Sequence, residues 1–173
     1  SKKNTDIVGE SDAINEIRYE PLLNGISVRA HIGIAAENNI NNPLIKDLNP
    51  HLDYLSSSVE QSIRDESIGD PRGIVWRADG NTDYVSGMGS NNVIMIDSNG
   101  NRLNKIEVGE GATGLALDEN HNRLYVWNHF EASLSTINLN SNQELTKTQV
   151  FNPLPQSIQQ GRKFLYSTHD TSG

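Results

Sequence analysis

The sequence predicts a mainly β chain of incomplete β-propeller-like antiparallel sheets, with 41-residue blade repeats, much loop and at most one or two short helices. Three observations carry this prediction. The segment from Gly73 to Asp97, shifted by 41 positions, falls on Gly114 to Asn138 without a gap. The chain is rich in turn formers, with 21 Asn, 17 Ser and 14 Gly among its 173 residues. Gly tolerates positive φ, Asn tolerates the left-handed region and Ser bonds locally to backbone, so the composition points to many turns between short strands. Finally, the repeat reads as four short strands per ~40 residues, the period of a propeller blade.

Element by element, the first 70 residues are the least regular. Glu16 to Glu20 and Ile26 to Ile32 alternate polar and apolar residues and read as strands. Asn38 to Asn42 is a loop ending at Pro43. Asp53 to Ser67 reads as the helix, because Leu55, Val59 and Ile63 share one face at i, i+4 and i+8, and Gly69-Asp70-Pro71 ends it. The first blade occupies 71–109. Its strands are Gly73 to Arg77, Asp83 to Gly87, Val93 to Ile96 and Leu103 to Val108, with the hairpin signal Asn99-Gly100 before the last. The second blade occupies 110–150, with Tyr84 meeting Tyr125, Val85 meeting Val126 and Ile96 meeting Ile137. A further shift puts Tyr125 on Tyr166, so 151–173 reads as a partial third repeat within a single domain spanning 1–173. Such a chain does not close a ring, and its sheet edges call for loop cover.

Composition excludes several functions. The net charge of −8 disfavours sequence-independent nucleic-acid binding, which needs clustered Lys and Arg. No apolar run approaches the ~20 residues of a membrane span. With no Cys there is no disulfide, thiolate metal site, Cys nucleophile or covalent haem attachment. No zincin pair, P-loop, GxGxxG after a strand or GxSxG elbow is present. Gly109 to Gly114 is Gly-rich but joins two strands, so it is a connection and not a phosphate cradle.

Of the five His, His129 and His169 are the informative pair. Trp127 and His129 fall on the same face of a strand. His169 lies 40 residues after His129, one short of the repeat, and a one-residue bulge would align them. Met88 is the residue that matches His129 in the first blade. Imidazole and thioether suit copper, and two imidazoles satisfy low-coordinate Cu(I). The alternative is a pair of strand-end His bonded to backbone. His31 is a spare ligand candidate, His51 reads as structural at the Pro50 turn, and His121 reads as exposed. Asp79-x-Asn81-x-Asp83 and Asp97-x-Asn99-x-Asn101 copy the opening of a calcium loop but lack its Gly and Glu, so they read either as weak calcium sites or as ordinary hairpin turns.

Asp12 to Gly25, Tyr84 to Asn91, Gly114 to Asp118 and Gly161 to Gly173 together resemble bacterial YncE-like propellers fused to c-type cytochromes, with Gly161 to Gly173 similar to the segment that leads into the haem motif. No CxxCH follows. Trp127-x-His129 with a later His resembles instead the MopE/CorA family of surface copper-binding proteins of methane-oxidising bacteria. That resemblance implies a mononuclear copper site of His129, His169 and a kynurenine formed from Trp127. It also implies copper held chiefly as Cu(I), with Cu(II) as the other state, and calcium as a second metal. The implied protein is secreted or outer-surface associated after signal-peptide removal. It takes part in copper acquisition without turnover, beside an outer-membrane or cytochrome peroxidase-like partner. The alternative reading is a YncE-like propeller segment of an electron-transfer or peroxidase-like protein that serves as a docking module.

Overall fold

A computed structural model describes residues 4–11, 28–35, 40–55 and 59–168. It is mainly β, with three antiparallel sheets and two short helices among the described residues. The N-terminal sheet pairs β1 (Asn4–Ser11), β2 (Val28–Ala35) and β3 (Leu44–Asp47) in that order. The first blade is β4 (Pro71–Trp76), β5 (Thr82–Gly87), β6 (Asn92–Asp97) and β7 (Arg102–Glu107). The second is β8 (Ala112–Asp118), β9 (Arg123–Asn128), β10 (Ser133–Asn138) and β11 (Gln143–Gln149). The two blades have the strand boundaries their 41-residue repeat predicts to within one or two residues.

The sheets stack in sequence, and strand alternation decides which face meets which. Ala30, Ile32 and Ile34 of the N-terminal sheet pack on Val85, Ile94 and Ile96 of the first blade. The opposite face of that blade presents Tyr84, Val93 and Ile106 to Ala112, Leu124, Val126 and Ile137 of the second. Each Ile or Val sealed in these layers is worth ~1.5–3 kcal/mol relative to exposure. Turns recur in step with the repeat: the Asn99 amide donates to Asp97 Oδ1 (2.8 Å), and 41 positions on the Asn140 amide donates to Asn138 Oδ1 (2.8 Å).

Three sequence expectations change. The helix over Asp53–Ser67 contracts to α1, Gln61–Arg64. Its apolar stripe has little to pack on: Leu55 is 87% exposed and Ile63 40% exposed, and an isolated helix of this length does not sustain itself without packing. The strand at Ile26–Ile32 is β2, displaced to Val28–Ala35, and the strand at Glu16–Glu20 lies outside the described residues. The largest change is at 151–173. The segment is not a partial third repeat, because Gln156–Tyr166 forms helix α2. Pro155 starts it by accepting from the Ile158 and Gln159 amides (2.9 and 3.1 Å). The helix formers Gln, Arg, Lys and Leu continue it. The Tyr125–Tyr166 match at a second shift of 41 is a one-residue coincidence.

Candidate functional site

The repeat builds the same turn twice, and the two turns carry the two soft donors. After β5, the Met88 amide donates to the Asp70 carbonyl (3.0 Å) and the Gly89 amide to Gly69 (3.0 Å). After β9, the His129 amide donates to the Gly111 carbonyl (2.8 Å) and the Phe130 amide to Glu110 (3.0 Å). Each of these four bonds maps onto its counterpart by the 41-residue shift. Asp70 and Gly111, also equivalent, both take positive φ, at 49° and 73°. At Gly111 a Cβ would lie 2.5 Å from Cγ of Phe130, so this position requires glycine for both reasons.

A buried polar cluster fixes the first turn. Asn92 Nδ2 donates to the Ser67 carbonyl (2.9 Å), Ser90 Oγ donates to Asn92 Oδ1 (2.7 Å), and the Gly69 amide donates to Ser90 Oγ (2.9 Å). The second turn keeps the counterpart of the last bond, the Glu110 amide donating to Glu131 Oε2 (3.2 Å), and adds Asn128 Nδ2 donating to Ser133 Oγ (2.9 Å) and Ser135 Oγ (2.8 Å). Both asparagines are fully buried; the Asn92 amide is bonded at both ends, whereas Asn128 is bonded at Nδ2 and its Oδ1 has no partner among the described residues.

Met88 and His129 line one open cleft of about 550 Å³ at the blade ends. Arg72, Thr113, Phe130 and Arg162 also line it, with Tyr166 of α2. Tyr166 packs on Phe130 with ring centroids 5.2 Å apart, and the Arg162 guanidinium lies over the Phe130 ring at 5.5 Å. Arg72 Nε is paired with Asp70 Oδ1 at 2.9 Å. Past the helix, the Thr168 amide donates to the Gly89 carbonyl (3.0 Å), which pins the chain beside Met88. Gly89 permits this approach, since a Cβ there would sit 2.7 Å from the Tyr166 carbonyl oxygen.

The structure therefore places Met88 and His129 in the lining of one cleft. Trp127 stays on β9, half-buried and not itself in the cleft lining, with Leu134 and the cleft-lining Gly114 as its cross-strand neighbours. His169 lies outside the described residues, immediately after the pinned Thr168. His31 is on β2 opposite Asp47, with the first blade between its sheet and the second blade. His51 Nε2 lies 3.1 Å from Ser67 Oγ. Burial, and then the nearby Arg102, holds its imidazole below the ordinary 6.5. His121 sits exposed in its turn with Nδ1 2.7 Å from Asp118 Oδ2. In the Asp97 turn the carboxylate already accepts from the Asn99 and Asn101 amides and from Asn101 Nδ2. Among the described residues no three His, Asp or Glu side chains cluster as a metal cage.

Sequence reading missed Arg162 and Tyr166 as cleft residues because it placed them in a partial third repeat. The available signal was Pro155 ahead of a run of helix formers.

No protein-family model and no curated protein matches the chain. Among solved structures it is similar to the hydrazine synthase of Kuenenia stuttgartiensis, at 22% identity and a TM-score of 0.47 over 49% of this chain and 24% of that one. It is similar to the periplasmic gluconolactonase PpgL of Pseudomonas aeruginosa, at 18% identity and 0.47 over 74% of this chain and 37% of that one. The virginiamycin B lyase of Staphylococcus aureus gives 13% identity and 0.47 over 75% and 40%. The chain thus spans less than half the length of each. These similarities concern the fold alone. No described helix is long and apolar enough to cross a membrane.

Proposed function

We propose that the chain is a surface or secreted copper(I)-binding protein that acquires and delivers metal without turnover, and that its site is the cleft at the blade ends. The observation that supports this reading is the pairing of Met88 and His129, residues 41 positions apart, in the lining of one cleft. Thioether and imidazole are the donors that favour Cu(I) over Ca²⁺ or Mg²⁺. The guanidiniums of Arg72 and Arg162 make a divalent ion costlier there than a monovalent one. His169, outside the described residues, is the second imidazole in this reading, as the resemblance implies. Kynurenine at Trp127 rests on resemblance to the MopE/CorA family, and calcium as a second metal does too.

A ligating imidazole must be neutral, so copper affinity falls as pH falls. Loading with Cu(I), followed by dialysis, metal analysis and peptide mapping, tests the site. One retained copper, lost in His129→Ala, is the expected outcome. No retained copper together with an unmodified Trp127 rejects the reading. Full affinity in a His169→Ala variant rejects the second ligand.

Helix α2 favours a second reading. It departs from the blade repeat and docks Tyr166 on Phe130, as a junction to another module would. The chain would then be the propeller segment of an electron-transfer or peroxidase-like protein and would dock a cytochrome-type partner. Binding of a c-type cytochrome by metal-free protein, with no copper uptake, distinguishes it from the first.

A further inference from the structure

The cleft at the blade ends holds a guanidinium that no described carboxylate pairs with. Arg162 and Tyr166 lie at i and i+4 on one face of α2, which carries both to Phe130. The Arg162 guanidinium lies over the Phe130 ring at 5.5 Å, and no described residue accepts a hydrogen bond from it. The Tyr166 hydroxyl also has no hydrogen-bond partner among the described residues. Arg72 lines the same cleft, but Asp70 takes its Nε and Nη2, both at 2.9 Å. The two arginines therefore differ: one is neutralised by its own carboxylate and the other is not.

No described acidic residue lines this cleft. Phe130 also lines a second cleft, of about 540 Å³, and carboxylates lie there: Glu110 and Glu131, with Glu131 Oε2 3.4 Å from Lys147 Nζ. Acid and base are thus segregated about one ring, in a chain whose net charge is −8. A half-buried guanidinium without a counter-charge is costly, and an anion removes that cost. Its N–H donors form a planar fork that fits a carboxylate. The wall beside it is apolar. Met88 and Phe130 are 8% and 7% exposed, and the Tyr166 ring beside them is 40% exposed. A bare inorganic oxyanion leaves this wall unused, whereas a planar apolar body attached to a carboxylate covers it.

We propose that the metal-free cleft binds a small organic anion, its carboxylate held by the fork of Arg162 with the Tyr166 hydroxyl as a further donor, and its planar apolar body laid against Met88, Phe130 and the Tyr166 ring. The two groups that hold the carboxylate are not copper donors in the reading above, so the proposal goes beyond that reading and does not rest on it.

Benzoate is the probe, titrated into chelator-treated protein and followed by calorimetry and heteronuclear magnetic resonance. The expected result is saturable one-site binding that shifts the Arg162 Nε–H signal and the Gly114 amide. Benzamide has the same shape without the charge and should bind far more weakly. Inorganic phosphate has the charge without the apolar body and should also bind more weakly. Arg162→Gln should weaken benzoate binding roughly tenfold or more, the worth of a charge-assisted hydrogen bond. Arg162→Lys should fall between, because it keeps the charge and loses the fork. Unshifted amides across α2 and at Thr168 show that the helix stays docked in these variants. Tyr166→Phe, which keeps the ring, is the second variant and should weaken binding by a smaller factor. Absence of saturable binding overturns the proposal, as does benzamide or phosphate binding as tightly as benzoate. Unchanged affinity in Arg162→Gln with α2 docked overturns it too. Copper uptake by protein that ignores benzoate overturns this proposal alone, and benzoate binding without copper uptake overturns the copper reading alone.

Discussion

Met88 and His129 owe their shared place in the cleft lining to a repeated turn, in which the same pair of backbone bonds presents position 88 in one blade and position 129 in the next. Their side chains differ, but the backbone that aims them is the same. Gly89 is the residue on which the neighbouring C-terminal segment depends. Gly89→Ala places a methyl group against the Tyr166 carbonyl and Thr168 Cγ2, at 2.7 and 2.8 Å. It should release the segment after α2 at a cost of ~1–3 kcal/mol, the range of overpacking. Limited proteolysis near residue 168 should accelerate in this variant, while the blades keep their protection in hydrogen exchange. His51 makes a second residue-scale prediction. Its folded-state pKa lies below the unfolded value of 6.5, so the unfolded chain binds the proton first as pH falls. Its contribution to stability is fully present above pH 6.5 and is lost as pH falls through the folded pKa. Thermal denaturation of wild type and His51→Gln should therefore differ in slope with pH below 6.5 and run parallel above it.

The blade strands were legible because their signals are local and redundant: alternation, Asx turns and the 41-residue match all mark the same boundaries. Helix α2 was not legible on those terms, because the Tyr125–Tyr166 match outweighed Pro155 and the helix-forming run behind it. Gly161 sits within α2, and a Cβ there meets nothing within 4 Å. Gly161→Ala should stabilise α2 by ~0.5–1 kcal/mol, the helix-propensity difference. The check is slower amide exchange across 158–166; unchanged or faster exchange would contradict the helical assignment. The helix over Asp53–Ser67 failed for the opposite reason. Its i, i+4, i+8 stripe was a real pattern with no surface to bury against, as the exposure of Leu55 shows.

At the scale of the molecule, three stacked sheets leave a cleft at the blade ends, and the residues singled out by sequence divide between cleft and sheet. His129 lines the cleft and Trp127 belongs to the sheet. Strand parity was legible in sequence, since 127 and 129 do alternate from Asn128. What could not be read is that β9 ends at Asn128, so His129 leaves the sheet in a turn while Trp127 remains on it. The charged lining of the cleft was equally hidden, because Arg72 and Arg162 come from elements 90 positions apart. The copper reading stands on the cleft, so the most direct measurement is X-ray absorption at the copper edge of Cu(I)-loaded protein. The account predicts imidazole and sulfur scattering in the wild type, a sulfur shell that disappears in Met88→Leu, and no retained copper in His129→Ala. Copper held with neither shell, or spectra unchanged by both substitutions, would contradict it.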